Sequence, residues 1–174
     1  MQNADKIFLI GFMGSGKTTA GKKLASSLRW DFIDLDELIE KDTGMQVAEI
    51  FSSKGEDWFR TVEAQALREA GKSGNTVIST GGGTPCFYGN MEFMIQNGLT
   101  IYLRMTPERL ARRLARSSAG RPLLKNIGNK ELPEYIRSKI SEREPWYSMA
   151  EIISDTAGEN FFHLLSLIKN RLDK

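Results

Sequence analysis

A doubly wound α/β fold with a parallel sheet is predicted for this 174-residue chain by three features. Five short apolar runs look like buried strands, segments of helical period lie between them, and the first run leads directly into Gly11-Phe-Met-Gly-Ser-Gly-Lys-Thr. Strands that alternate with helices imply parallel neighbours joined by right-handed crossovers, with helices on both faces. Ligands of such sheets sit outside the carboxyl ends of the strands, so chemistry is sought there.

The first strand is Ile7–Ile10, and residues 11–18 behind it fit G-x-x-x-x-G-K-[ST]. Glycines at this spacing allow a tight turn whose successive N–H groups face one anion. Lys17 can then reach the β- and γ-phosphates of a nucleotide as a point charge, and Thr18 can offer its hydroxyl to Mg²⁺. A helix over 17–28 follows, with Ala20, Leu24 and Leu28 on one side, and turns its positive end toward the phosphates.

The second strand, Phe32–Asp34, runs into Leu35-Asp36. Strand alternation would put both carboxylates on one side, one for Mg²⁺ through its waters and one to accept a proton from a hydroxyl. Alternatively Asp36 caps a helix that begins at Glu37. After Val47-Ala-Glu-Ile-Phe51 come Trp58-Phe59-Arg60 and a helix over 59–72. Aromatic residues beside one arginine suit a pocket with an apolar wall and a cation for a carboxylate; the competing account pairs Arg60 with Glu63 and leaves the rings in the core.

The third strand, Thr76–Ser79, ends in Thr80-Gly81-Gly82-Gly83. Three glycines at a strand end mean a ligand wall with close backbone approach, a positive φ, or a plain turn. Pro85 and Cys86 behind them read as structural. A helix over 90–97, the strand Leu99–Leu103 and a helix over 107–116 lead into a basic stretch that includes Arg109, Arg112, Arg113, Arg116 and Arg121. Residues 117–122 carry small side chains around Arg121, as in a lid that closes a guanidinium onto a transferring phosphoryl group; the alternative is a solvated helix face and a surface loop. In a helix over 131–150, Pro145 ends or kinks the chain, which can aim Arg143 at the site unless Glu142 or Glu144 pairs with it. The weak strand Ile152–Ile153 and a helix over 159–172 complete the pattern. His163 reads as a helix-surface or core-edge residue, and the seven methionines as core filling.

Composition limits the function. Hydrophobic residues make up 40% and charged ones 26%, as in a globular domain, and 24 basic against 22 acidic residues, largely interspersed, imply neither a nucleic-acid surface nor a membrane surface. The single cysteine rules out an internal disulfide, and the apolar run near the start is too short for a secretory or membrane segment; the cytoplasm is expected.

Together these pieces resemble the shikimate kinase family over nearly the whole chain. The motifs fall in family order: residues 11–18, Asp34-Leu-Asp36, Phe59-Arg60, Gly81-Gly82-Gly83, Arg121-Pro-Leu-Leu124 and Arg143-x-Pro-x-Tyr147. The resemblance implies a P-loop kinase fold, a five-stranded parallel sheet in the order 2-3-1-4-5, as one domain over 1–174. Its substrate-binding region is placed at about 34–62 and its lid at about 112–126. It implies ATP- and Mg²⁺-dependent phosphorylation of the 3-hydroxyl of shikimate by a monomer. Carried over by position, Gly14, Ser15, Gly16, Lys17, Thr18 and Thr19 bind the ATP phosphates and Arg121 reaches them from the lid. Thr18 and Asp34 attend the metal, Asp36 is the base and binds shikimate hydroxyls, Arg60 and Arg143 hold the carboxylate, and Gly82, with Gly81 and Gly83, meets the substrate. Where some members place an arginine near the adenine after the last strand, this chain reads Thr156-Ala-Gly-Glu159, leaving Arg116 as a candidate to stack on the base. The rival readings are a kinase for another small hydroxy acid such as gluconate, and a nucleotide-binding switch without catalysis.

Overall fold

The structure is a computed structural model that describes residues 5–116, 128, 130–155 and 161–172. Strands β1 (Lys6–Ile10), β2 (Asp31–Asp34), β3 (Thr76–Ser79), β4 (Leu99–Arg104) and β5 (Ile152–Asp155) form one sheet in the order β2-β3-β1-β4-β5, every pair parallel. This is the expected order. The strand ends extend past the apolar runs because polar residues can finish a ladder at its rim. Arg104 and Asp155 stand opposite each other in register, and the Arg104 guanidinium donates two bonds of 2.7 and 2.8 Å to that carboxylate.

Helices α1 (Lys17–Leu28), α2 (Leu35–Thr43), α3 (Val47–Ser53), α4 (Glu56–Ala70), α5 (Asn90–Asn97), α6 (Pro107–Arg116), α7 (Leu132–Tyr147) and α8 (Phe161–Leu172) connect and cover the strands. The period-two alternation of β1 sorts its side chains between two cores. Phe8 and Ile10 join Ile78, Tyr102, Leu67 and Tyr147 under α4, α5 and α7, whereas Ile7 and Leu9 join Val77, Ile101, Leu24 and Ile168 under α1 and α8. A third cluster, with Phe12, Leu110, Leu114 and Ile136, packs α6 on α7.

Three helices differ from the sequence pattern. Helix α4 begins at Glu56 rather than 59: Glu56 and Asp57 break the apolar period but favour the positive end of a helix. Helix α3 has seven residues, too few for a clear period, and its start is fixed from outside, since the Glu40 carboxylate accepts from the Val47 N–H at 2.9 Å. Helix α7 ends at Tyr147, and Pro145 lies inside it rather than ending it. His163 is exposed on α8, as expected of a surface position.

Register then positions the site. Leu9, Ser79 and Asp34 lie side by side across three strands, so the segments that follow them leave the sheet at one level. The phosphate loop, the start of α2 and the glycine triplet therefore meet above the same edge of the sheet.

Candidate active site

The phosphate loop is shaped by backbone. Gly16 caps α1 at φ +96°, a conformation costly for any residue with a Cβ. The Ser15 hydroxyl is buried there and has no hydrogen-bond partner among the described residues, as suits an oxygen-rich anion. The Lys17 ammonium folds over the loop and donates to the Gly11 and Phe12 carbonyls at 2.7 and 3.0 Å.

Asp34 links the loop to α2. One carboxylate oxygen accepts from the Thr18 hydroxyl at 2.8 Å and the other from the Asp36 N–H at 3.2 Å, so Asp34, not Asp36, caps α2. Strand alternation does not apply to the pair, because β2 stops at Asp34 and Asp36 is the second residue of the helix. Freed from capping, the Asp36 carboxyl faces the cavity. Burial first, then the charges of Asp34 and Glu63, push its pKa up to about 6, against the pull of Lys17.

Opposite lies Arg60, buried and held by two acids: Nη1 donates to Glu63 at 2.8 Å, and Nε and Nη2 donate to one oxygen of Glu56 at 3.2 and 3.0 Å. The pairing of Arg60 with Glu63 is thus present, with Glu56 added to it. A guanidinium has five N–H donors, so one on each Nη remains, the fork that fits a carboxylate end-on. Burial alone would lower the Arg60 pKa, but the two acids carry it above its ordinary value. Phe87, Phe59 and Phe51 box the cation, with centroids at 4.5, 5.2 and 5.8 Å.

The glycine triplet owes its composition to close approach, since none of the three has a positive φ. A Cβ on Gly81 would stand 2.7 Å from the Glu63 carboxylate, and one on Gly83 2.5 Å from Arg60 Nη2. Pro85 and Cys86 lie in a single 3₁₀ turn, Thr84–Cys86, behind the triplet. From α7, Arg143 closes the wall over the Phe12 ring at 5.4 Å, and its Nη1 is buried without a partner among the described residues; neither Glu142 nor Glu144 takes it.

A cavity of about 960 Å³ joins these parts and is lined by Gly14 through Thr19, Asp34, Asp36, Arg60, Gly81 through Gly83 and Arg143. Arg121 lies outside the described residues. Three contributors are named in the sequence reading without the places that the structure gives them. Glu63, wholly buried, receives Arg60 and the Thr84 hydroxyl, the latter at 2.6 Å and twenty-one positions away. Tyr147 donates to the Gly82 carbonyl at 2.5 Å. Arg113 donates to the Gly14 carbonyl at 3.2 Å and lines the cavity; Arg116 faces only a smaller hollow of about 380 Å³ shared with Arg109, Arg112 and Arg113. The arrangement offers phosphate donors at one end, a proton acceptor in the middle and two guanidinium groups for a small acid at the other.

Comparison with known proteins agrees. The family model described as shikimate kinase matches residues 13–170. A shikimate kinase of Parabacteroides distasonis is 44% identical over 150 residues, covering 86% of this chain and 87% of that one. Among solved structures, the shikimate kinase of Bacteroides thetaiotaomicron aligns with a TM-score of 0.89 at 39% identity, covering 97% of this chain and 98% of the other. That of Acinetobacter baumannii, in complex with shikimate, aligns with a TM-score of 0.86 at 34% identity over 97% and 93%.

Proposed function

This chain belongs to the shikimate kinase family, and from that membership we propose how its residues divide the work of the reaction. The protein is a kinase that phosphorylates shikimate with ATP, a step of the shikimate pathway. We assign the acceptor as the 3-hydroxyl and the catalytic form as a cytoplasmic monomer, the compartment in keeping with a lone cysteine.

The N–H groups at the start of α1, the Ser15 hydroxyl and Lys17 hold the ATP phosphates in place. Thr18 and Asp34, hard oxygen donors 2.8 Å apart, would hold Mg²⁺, which would supply charge neutralisation at the phosphates. Arg60 and Arg143 grip the shikimate carboxylate, and the Gly82 backbone lies against the ring. This grip sets the hydroxyl beside Asp36. Asp36, ionised at neutral pH yet more basic than a solvated carboxylate, takes the hydroxyl proton as the oxygen attacks the γ-phosphorus in line. Positioning and charge do most of the work, and no protein nucleophile is needed. Arg121 is assigned to the phosphoryl group from the lid on family position alone.

The observation that carries this reading is the Nη1 of Arg143, buried and without a partner among the described residues, in the same cavity as Arg60. Two cations at one end suit a carboxylate rather than a neutral sugar. The test is ADP release coupled to NADH oxidation with Mg-ATP and shikimate, gluconate, nucleoside monophosphates or no acceptor. We expect a shikimate-dependent rate in the range of about 1–100 s⁻¹. Gluconate-only turnover would overturn the residue roles at the acceptor end; ATP binding with no turnover on any acceptor would favour the switch.

A further inference from the structure

We propose that Tyr147 is a positioning residue for the acceptor: its hydroxyl ties the end of α7 to the glycine triplet and so fixes where the Arg143 guanidinium stands. The inference rests on the reading of Arg143 as a carboxylate ligand.

Tyr147 follows Arg143 by four residues, so both lie on one face of α7. Between them is Pro145, which has no N–H to give to the Ser141 carbonyl and removes one rung of the helix just before its end. A helix end weakened in this way does not by itself hold an arginine to within a few tenths of an ångström. The Tyr147 hydroxyl supplies a fixed point beyond the proline, donating at 2.5 Å to the Gly82 carbonyl.

Gly82 is the place where three segments converge. A Cβ there would stand 3.3 Å from Arg143 Nη1, 3.3 Å from the Met13 nitrogen and 3.6 Å from the Gly11 carbonyl oxygen. The single bond from Tyr147 therefore sets the spacing of α7, the glycine triplet and the start of the phosphate loop. The core alone does not ask for it. The ring is wholly buried against Tyr102, with centroids 4.9 Å apart, a contact that phenylalanine would keep. Burial also pushes the phenol pKa up to about 12, with Arg143 beside it pulling down, so the hydroxyl remains a donor at any working pH.

The experiment is a kinetic cycle on the full chain with wild type, Tyr147→Phe, Arg143→Lys and the double variant, varying shikimate at saturating Mg-ATP and then the reverse. Ile168→Val, in the core on the opposite side of the sheet, serves as a stability control. Tyr147→Phe is expected to raise the shikimate KM about tenfold while kcat and the ATP KM stay within about twofold. In the double variant the shikimate KM should be no more than about twofold above that of Arg143→Lys alone, because both changes act on one guanidinium. An unchanged shikimate KM in Tyr147→Phe, equal rises for both substrates, or additive effects would overturn the proposal. If Arg143→Lys itself leaves the shikimate KM unchanged, the carboxylate reading fails and this inference with it. Should Tyr147→Phe not fold, Gly82→Ala probes the same junction from the other side: its methyl presses on Arg143 Nη1, and a normal shikimate KM there would refute the role.

Discussion

The two ends of the cavity are built in different ways. At the phosphate end one contiguous stretch, residues 11–18, provides the anion site largely from backbone, and its geometry depends on a helix start and a glycine at φ +96°. At the acceptor end, groups from α2, α4, the glycine triplet and α7 come together, and bonds between residues far apart in sequence, Thr84 to Glu63 and Tyr147 to Gly82, brace that assembly. The first end is a local structure, which on our reading recognises charge. The second is a tertiary structure, which on our reading recognises shape and charge together, and it and the fold depend on each other.

The sharpest test of that contrast is Lys17→Met. The Lys17 hydrogen bonds described above go to the loop's own carbonyls, so its loss should reduce kcat by about 10³-fold or more while shikimate affinity and thermal stability change little. Single-turnover kinetics beside a thermal melt would check it. A variant that turns over normally would remove Lys17 from the chemistry, and one that unfolds would show that the phosphate end is not the independent unit described.

The same contrast explains what was legible in the sequence. Most strands and the phosphate loop could be read because each is encoded over a few neighbouring residues, whereas the sheet order was an expectation of the family resemblance alone. Asp36, Arg60 and Arg143 were visible as candidates, but the surroundings that hold them were not. Glu63 looked like a rival of the substrate for Arg60; only its burial and its bond to Thr84 make it the support. The Asp34-Leu-Asp36 pair was legible as a candidate site but left open between strand and helix start, because a chain that turns from β2 into α2 within one residue leaves no periodicity on which to judge. The glycine triplet could not disclose whether conformation or crowding required it until the Glu63 and Arg60 side chains were placed against it. Arg113 and Arg116 are indistinguishable by composition and differ only in which one the α6 face turns toward Gly14.

Arg60→Ala should have a mixed effect that no phosphate-loop change shares. It removes half of the carboxylate grip, raising the shikimate KM by about 10²-fold, and it strands the buried Glu63 carboxylate, which costs about 3–5 kcal/mol when one partner of a buried pair is lost. Urea unfolding and steady-state kinetics on one preparation would measure both. If the KM rises with no loss of stability, Glu63 is sustained by Thr84 alone and the acceptor end is less interdependent than its geometry implies. If stability falls and the KM does not, Arg60 serves the fold rather than the substrate.

The smallest expected effect concerns Asp36, and its sign separates a functional carboxylate from a structural one. Its folded pKa of about 6 lies above the ordinary value of 3.8, so the folded state disfavours the ionised form. Above about pH 6 the group is charged in both states and the penalty is fully present; below about pH 3.8 it is neutral in both and the penalty vanishes. Asp36→Asn should therefore stabilise the protein at pH 8 by about 2–3 kcal/mol, or about 4–12 °C in Tm, and give no gain at about pH 3.5. The wild-type enzyme should show the counterpart in catalysis: kcat/KM for shikimate falling tenfold per unit below a limb near pH 6, because only the ionised form accepts the hydroxyl proton. An Asp36→Asn variant that is less stable at pH 8 would mean that Asp36 is held by favourable partners, as Asp34 is by Thr18, and that the cavity stores no charge strain at its centre. A gain in stability at pH 8 together with loss of turnover would show that this carboxylate is kept in place at the expense of the fold for the proton it removes.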